Sequence, residues 1–226
     1  MAKAYAYAAF DYTKINFYSI NAAAGYMEEK DEFAAYYDSG YEEHFYGEKL
    51  TYDKNGMLTG GKITGYEAVY GGSVFYLGGF SVAATALEKA MDSVSTADDM
   101  KLLAAMFKGA DTLTGSSYAD RINGFAGKDL IDGKKGDDIL TGGAGKDTFI
   151  FTSKSGHDTI TDFEARDTHA NHDRIDLHSF SNIDSFSDLK PLMSQHGHDV
   201  LIDFGKAELT LEDVKHSQLG KGDFLF

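Results

Sequence analysis

The strongest constraint on this chain is a nine-residue clock. Aspartate recurs at Asp111, Asp120, Asp129, Asp138 and Asp147. Glycine keeps the same step in two phases, at Gly115, Gly124, Gly133 and Gly142 and at Gly109, Gly127, Gly136 and Gly145. Two places after each aspartate stands an apolar residue: Leu113, Ile122, Ile131, Leu140 and Phe149. Turn chemistry alone demands no fixed period, so three phased series describe one structural unit stacked on itself.

The register is G-G-x-G-x-D-x-U-x, best preserved in Gly142-Gly143-Ala144-Gly145-Lys146-Asp147-Thr148-Phe149-Ile150. It resembles the calcium-binding nonapeptide of type I-secreted RTX proteins, a pattern tied to a parallel β-helix. The physical reading agrees. Six glycine-rich residues turn tightly because glycine accepts positive φ without steric cost. The three residues x-U-x form a minimal strand that buries only U, and two repeats complete a coil of 18 residues. Asp111, Asp129 and Asp147 then stack on one side, Asp120 and Asp138 on the other. Leu113, Ile131 and Phe149 line one core wall; Ile122 and Leu140 line the other.

Carboxylates one coil apart, roughly 4.7–4.9 Å by strand spacing, repel one another unless a cation lies between them. There is no cysteine and no repeated histidine. Oxygen donors alone select a hard ion, so several Ca²⁺ ions are expected rather than zinc or copper. The expected ligands are Asp111, Asp120, Asp129, Asp138, Asp147 and Asp158, with carbonyls of Gly109, Gly127, Gly136 and Gly145. Asp162, Asp173 and Asp176 are further candidates, because Asp158-Thr159-Ile160-Thr161-Asp162-Phe163 and Asp173-Arg174-Ile175-Asp176-Leu177 are similar to the segment that closes the roll in RTX proteins. Asp132 and Asp137 fall off the ligand phase and are expected to face solvent. Two repeats depart from the pattern, with Tyr118 in a glycine position and Met106-Phe107 replacing two glycines.

Composition divides the chain near residue 108. All 14 tyrosines lie at or before Tyr118, whereas seven of eight histidines and 18 of 25 aspartates lie at or after Asp111. Residues 1–107 are expected to form a β-rich α+β domain ending in two short helices. Residues 108–226 are expected to form the parallel β-roll, its C-terminal cap and a secretion signal. In the first region Asn55-Gly56 between β-formers predicts a hairpin, with strands at 48–52, 57–59, 63–70 and 74–77. Ser81 is expected to cap one helix, and Thr96-Ala97-Asp98-Asp99 resembles a capping box opening another. Residues 1–40 suit helix and strand equally.

In the tail, 200–205 and 207–211 predict a hairpin turning at Gly205-Lys206. The ending Gly222-Asp223-Phe224-Leu225-Phe226 resembles the uncleaved export signal of type I-secreted RTX proteins, which implies the type I secretion apparatus as a partner and an extracellular or cell-surface location. No cleaved N-terminal signal is legible, and no apolar run is long enough to span a bilayer. A formal charge of −15 argues against nucleic acid as a partner.

No catalytic constellation stands out. There is no H-E-x-x-H, and Gly71-Gly72-Ser73-Val74-Phe75 begins like a nucleophile elbow but ends in phenylalanine. His169-Ala170-Asn171-His172-Asp173 has spacing that suits neither a helix face nor a strand face, and His44 reads as a strand surface residue. The paired acids Glu28-Glu29 and Asp31-Glu32 read as a charged turn. Phe45 to Tyr52 and Thr59 to Thr64 resemble an N-terminal module that precedes short RTX arrays in other bacterial secreted proteins. The expected role is therefore non-enzymatic: adhesion, surface association or a biofilm-matrix contribution, with extracellular polysaccharide or the cell surface as partner. The competing expectations are a polysaccharide-active enzyme using N-terminal carboxylates, and a ligand carrier such as a haemophore using His44 or a loop tyrosine.

Overall fold

In the computed structural model, the residues described are 1–6, 12, 25–29, 31–55, 57–70, 73–92, 95–165 and 172–226. The chain divides into two units, residues 1–7 with 13–107 and residues 8–12 with 108–226. Among the described residues it is mainly β, with three α-helices.

The first unit holds strands β1 (Lys3–Ala6), β2 (Gly25–Glu28), β3 (Glu32–Tyr36), β4 (Tyr41–Tyr52), β5 (Leu58–Tyr70) and β6 (Ser73–Ala83). They pair antiparallel in the order β2-β3-β4-β5-β6-β1. Side chains alternate across the sheet: Glu43, Phe45, Ile63, Tyr66, Ala68, Phe75 and Leu77 are buried, while His44, Tyr46 and Glu67 are only partly so. The hairpin between β4 and β5 turns on Asp53, whose Oδ1 accepts from the N–H groups of Asn55 (2.7 Å) and Met57 (3.1 Å); Gly56 lies outside the described residues. The strands run longer than the local pattern predicts because cross-strand pairing extends them through glycines. A bulge between Tyr46 and Gly47 and another between Ile63 and Gly65 absorb the mismatch.

The helices are α1 (Ala84–Met91) and α2 (Thr96–Met106). The expected Ser81 cap is corrected: β6 continues to Ala83, which precedes α1 without any side-chain cap. Strand pairing of Val82 with Ile63 outcompetes the local helix start. The cap of α2 is Ser95, one residue earlier than Thr96, and its hydroxyl accepts from the Ala97 N–H at 3.3 Å. Leu87, Ala90 and Met91 of α1 and Leu102, Leu103 and Met106 of α2 are buried.

The second unit is a parallel roll. One wall is β7 (Thr112–Thr114), β10 (Leu130–Asp132), β13 (Thr148–Ile150), β15 (Arg174–Asp176) and β19 (Phe224–Leu225), all parallel. The other is β8 (Arg121–Asn123), β11 (Ile139–Thr141), β14 (His157–Ile160) and β18 (Glu208–Leu211), also parallel. Short β9 (Ala126–Gly127) and β12 (Ala144–Gly145) pair along a turn. The register stacks Leu113, Ile131, Phe149, Ile175 and Phe224 in one row and Ile122, Leu140, Ile160 and Leu211 in the other. All nine are buried, so the predicted walls hold and each gains further rungs.

The cap comprises α3 (Phe186–Leu189), β16 (Met193–His196) and β17 (Asp199–Asp203), the last pairing antiparallel with both β16 and β18. This is the predicted tail hairpin, and Gly205 at φ +89° makes its turn, where Asp203 Oδ1 accepts the Gly205 N–H at 2.7 Å. Phe151, Phe180 and Phe204 stack beneath the cap, with Phe180 and Phe204 ring centroids 4.5 Å apart. The C-terminal apolar segment is the last rung of the roll: Ile175 and Leu177 donate to the Asp223 and Leu225 carbonyls, both at 2.8 Å.

Candidate metal centre

Each aspartate of the clock stands at the end of a glycine turn, immediately before its strand. The seven ladder carboxylates, Asp111, Asp120, Asp129, Asp138, Asp147, Asp158 and Asp173, are all at most 3% exposed. One oxygen of each carboxylate above the lowest rung is held by the coil below. Asp111 N–H donates to Asp129 Oδ1 (2.7 Å), Asp129 N–H to Asp147 Oδ1 (2.8 Å) and Asp147 N–H to Asp173 Oδ1 (2.9 Å). On the other side Asp120 N–H donates to Asp138 Oδ1 (2.8 Å) and Asp138 N–H to Asp158 Oδ1 (3.1 Å). Two vertical ladders result, one of four aspartates and one of three.

The second oxygen tells more. Oδ2 of Asp129, Asp138 and Asp147 is buried without a hydrogen-bond partner, an arrangement that costs several kcal/mol for an ionised carboxylate unless a cation completes it. These oxygens point into their own turns. A Cβ on Gly124 would stand 2.6 Å from Asp129 Oδ2, one on Gly142 2.7 Å from Asp147 Oδ2, and one on Gly133 would overlap Asp138 Oδ2. Glycine is required there for space. The turns also stack closely: a Cβ on Gly127 would overlap the Gly109 carbonyl, and one on Gly145, at φ +148°, would overlap the Gly127 carbonyl. The turns thus bring backbone carbonyl oxygens and orphaned carboxylate oxygens into neighbouring coils.

Electrostatics point the same way. Burial, with a further push from neighbouring ladder carboxylates, raises Asp129 to about 7 and Asp138 to about 8. Burial likewise raises Asp158 and Asp173 to about 7, and raises Asp147. The backbone N–H donors work against this shift and do not cancel it. Among the described residues no three His, Asp or Glu side chains converge as a side-chain metal cluster. Any ion here must draw on main-chain carbonyls, the donor mixture that suits Ca²⁺.

Not every sequence candidate joins the ladders. Asp173 does, although 26 residues separate it from Asp147, and its Oδ2 also accepts the Glu164 N–H at 2.9 Å. Asp162 spends both oxygens on the backbone of one turn, accepting from Gly142 (2.9 Å) and Gly143 (2.8 Å). Asp176 lies outside the ladder phase, past Ile175, and binds His178 through its N–H (3.0 Å) and Nδ1 (2.7 Å). Asp132 holds the same strand position and pairs with Lys134 at 2.7 Å. Exposed Asp137 accepts the His157 N–H at 3.0 Å. In the Tyr118 repeat, Asp120 Oδ2 instead accepts the Ser116 N–H at 2.6 Å. Asp223, buried at the last rung, lies one residue off the ladder phase and accepts the Gly220 N–H at 2.8 Å.

Elsewhere, His44 lies between Glu32 (Nδ1, 2.7 Å) and Glu42 (Nε2, 3.1 Å), so both ring nitrogens are engaged. Burial works to lower its pKa, but the two glutamates outweigh it and the net shift is upward. Glu43 points into the core of the first unit, bonded to the Tyr37 and Tyr66 hydroxyls at 2.5 and 2.7 Å. Strand alternation marks Glu43 as inward, a signal the acidic composition hides. Of the His169–Asp173 run, 169–171 lie outside the described residues, as do Gly71 and Gly72 of the elbow-like motif. The side chain of Glu28 is likewise outside them, and Glu32 is committed to His44.

Comparison with known proteins locates the repeats. Residues 107–140 and 126–160 match the family model of the RTX calcium-binding nonapeptide repeat (4 copies). Among solved structures, the AlgE6R3 subunit of a mannuronan C5-epimerase from Azotobacter vinelandii is 25% identical, with a TM-score of 0.37, covering 53% of this chain and 79% of that one. The extracellular lipase LipA from Serratia marcescens is 17% identical, with a TM-score of 0.40. That match covers 89% of this chain but 32% of the lipase, so this chain spans about a third of that enzyme's length. No curated protein sequence matches the chain.

Proposed function

We propose that this chain, whose residues 107–160 are RTX calcium-binding repeats, is a secreted protein whose roll folds on calcium and whose first unit serves adhesion, surface association or a biofilm matrix without catalysis. One observation carries the calcium-driven folding: the buried, unpartnered Oδ2 atoms of Asp129, Asp138 and Asp147. The ligands are the ladder carboxylates Asp111, Asp120, Asp129, Asp138, Asp147, Asp158 and Asp173, with carbonyls of Gly109, Gly127, Gly136 and Gly145. Asp162 and Asp176 instead hold a turn and a loop. Calcium supplies the positive charge that lets the ladders stay ionised when buried, so binding free energy becomes folding free energy. At low calcium the roll stays loose and competent for the type I apparatus; at extracellular calcium, affinities of about 10⁻⁴–10⁻³ M suffice to fold it.

The first unit then contacts polysaccharide or another surface partner. The carrier alternative is weakened, because both imidazole nitrogens of His44 already face carboxylates. The enzyme alternative predicts two opposed carboxyls in a cleft, whereas Glu43 is sealed beneath tyrosines and Glu32 and Glu42 flank His44. A calcium titration followed by far-ultraviolet circular dichroism tests the folding step. A cooperative gain of β signal, reversed by chelator, is expected; identical spectra and melting with and without calcium refute it. A glycan array on the calcium-loaded protein tests the adhesive role, and polysaccharide cleavage by the purified chain would replace it with the enzymatic one.

A further inference from the structure

The C-terminal cap contains a pocket of about 450 Å³, within the size range of small-molecule sites and lined by none of the ladder carboxylates. Among the residues lining it are the polar His198, Asp213, Lys215, His216 and Ser217, beside Gln195. Gln195 is the organiser. Its Nε2 donates to the Asp199 carbonyl (2.8 Å) and the Val214 carbonyl (3.1 Å), and its Oε1 accepts the His216 N–H (2.8 Å). One side chain therefore ties β16 to the hairpin turn and to the segment carrying the pocket's cations. Asp213 is held at φ +54°, and its N–H donates to Asp199 Oδ1 at 2.9 Å. A wall fixed in advance loses little freedom when a ligand arrives.

The chemistry of the wall is donor-rich. Lys215, two histidines and Ser217 line the pocket with a single acidic residue, Asp213, in a chain whose formal charge is −15. Nε2 of His216 is shut from solvent with no hydrogen-bond partner. Two histidines and an aspartate would also suit a transition metal, but among the described residues no three such side chains are placed to share an ion. That leaves exposed His198 as a hydrogen-bonding side chain beside Lys215.

We propose that this pocket binds a small oxyanion-bearing ligand, with Lys215 supplying the charge and His198 and Ser217 the hydrogen bonds. The recognised chemistry is a carboxylate or phosphate on a molecule of about sugar size. The site is independent of the calcium reading, and its failure would leave the folding role of the ladders intact.

The test is calorimetric titration of the calcium-loaded full chain with glucose, glucuronate and glucose 6-phosphate, which share a ring and differ in the oxyanion. Saturable binding of at least one anion, with glucose weaker by about tenfold or more, is expected from a charged hydrogen bond. The tighter anion identifies the source as sugar acid or phosphate ester. Lys215→Gln should weaken it about tenfold, and Ser217→Ala, at an exposed position, by a smaller factor. Both variants should keep the calcium-induced circular dichroism change. Equal binding of glucose, no binding of either anion, or unchanged titrations in Lys215→Gln overturns the proposal. So does zinc binding that is lost on replacing His198 or His216 while the anions fail to bind.

Discussion

Replacing Asp138 by asparagine should move the stability of the calcium-free and calcium-loaded forms in opposite directions. Asp138 is 1% exposed, and burial followed by the charges of Asp158, Asp120 and Asp137 lifts it to about 8 from 3.8. At pH 7 the calcium-free folded chain must therefore keep a proton that the unfolded chain has released. At about 1.4 kcal/mol per pH unit, over roughly three units, this costs the fold about 4 kcal/mol. Asparagine removes that cost and retains an Oδ1 acceptor for the Asp120 N–H. It introduces an amide N–H facing the Gly133 turn, a penalty of about 1–3 kcal/mol if unpartnered. The net is a gain of about 1–3 kcal/mol without calcium. With calcium the sign reverses, since a charged ligand is gone and each tenfold loss of affinity removes about 1.4 kcal/mol of stabilisation. Urea unfolding followed by circular dichroism reads both. With a slope of about 1–3 kcal/mol per molar, the midpoint should fall in calcium, while in chelator, where the unaltered roll is loose, the variant should show more β signal. Equal destabilisation of both forms would mean that the ladders are hydrogen-bonded scaffolding with no ion between them, and the reasoning fails.

Three further outcomes follow from the same geometry. Lowering the pH from 8 to 5 should stabilise the calcium-free roll and weaken calcium binding. The raised carboxyls at Asp129, Asp138, Asp158 and Asp173 take up protons on folding, so stability falls as pH rises between the unfolded value near 4 and about 7–8; chelated protein melting higher at pH 8 than at pH 5 would contradict this. Gly145→Ala, whose Cβ would overlap the Gly127 carbonyl, should cost about 2–3 kcal/mol or more, whereas Gly205→Ala, with nothing within 4 Å, should cost about 1–2 kcal/mol for its left-handed backbone alone; equal losses in thermal melts would undo the close-stacking argument. Ile131→Ala, at the fully buried centre of one wall, should destabilise the calcium-loaded roll by about 2–5 kcal/mol, and a loss under 1 kcal/mol in urea would show that the wall does not pack as described.

The roll was legible because its information is local and repeated. Each nonapeptide carries its own turn glycines, its own carboxylate and its own core residue, so the period alone placed five aspartates in two phases and five apolar residues in two walls. Where the period lapsed, only three-dimensional pairing could decide. Asp173 enters a ladder because β15 pairs with β13 across the intervening segment, while Asp162, nearer in sequence, is captured by two backbone N–H groups. The ending resembles an export signal in its local sequence, and pairing with β15 makes Phe224 and Leu225 a rung. In the first unit, alternation with Phe45 places Glu43 on the inner face, but the hydroxyls of Tyr37 and Tyr66 that hold it, and the two glutamates around His44, emerged only from the sheet. The physical reason is common to all of these: a tight turn is specified by the few residues that make it, whereas the partner of a strand or of a buried charge is chosen by distant residues competing for the same hydrogen bonds.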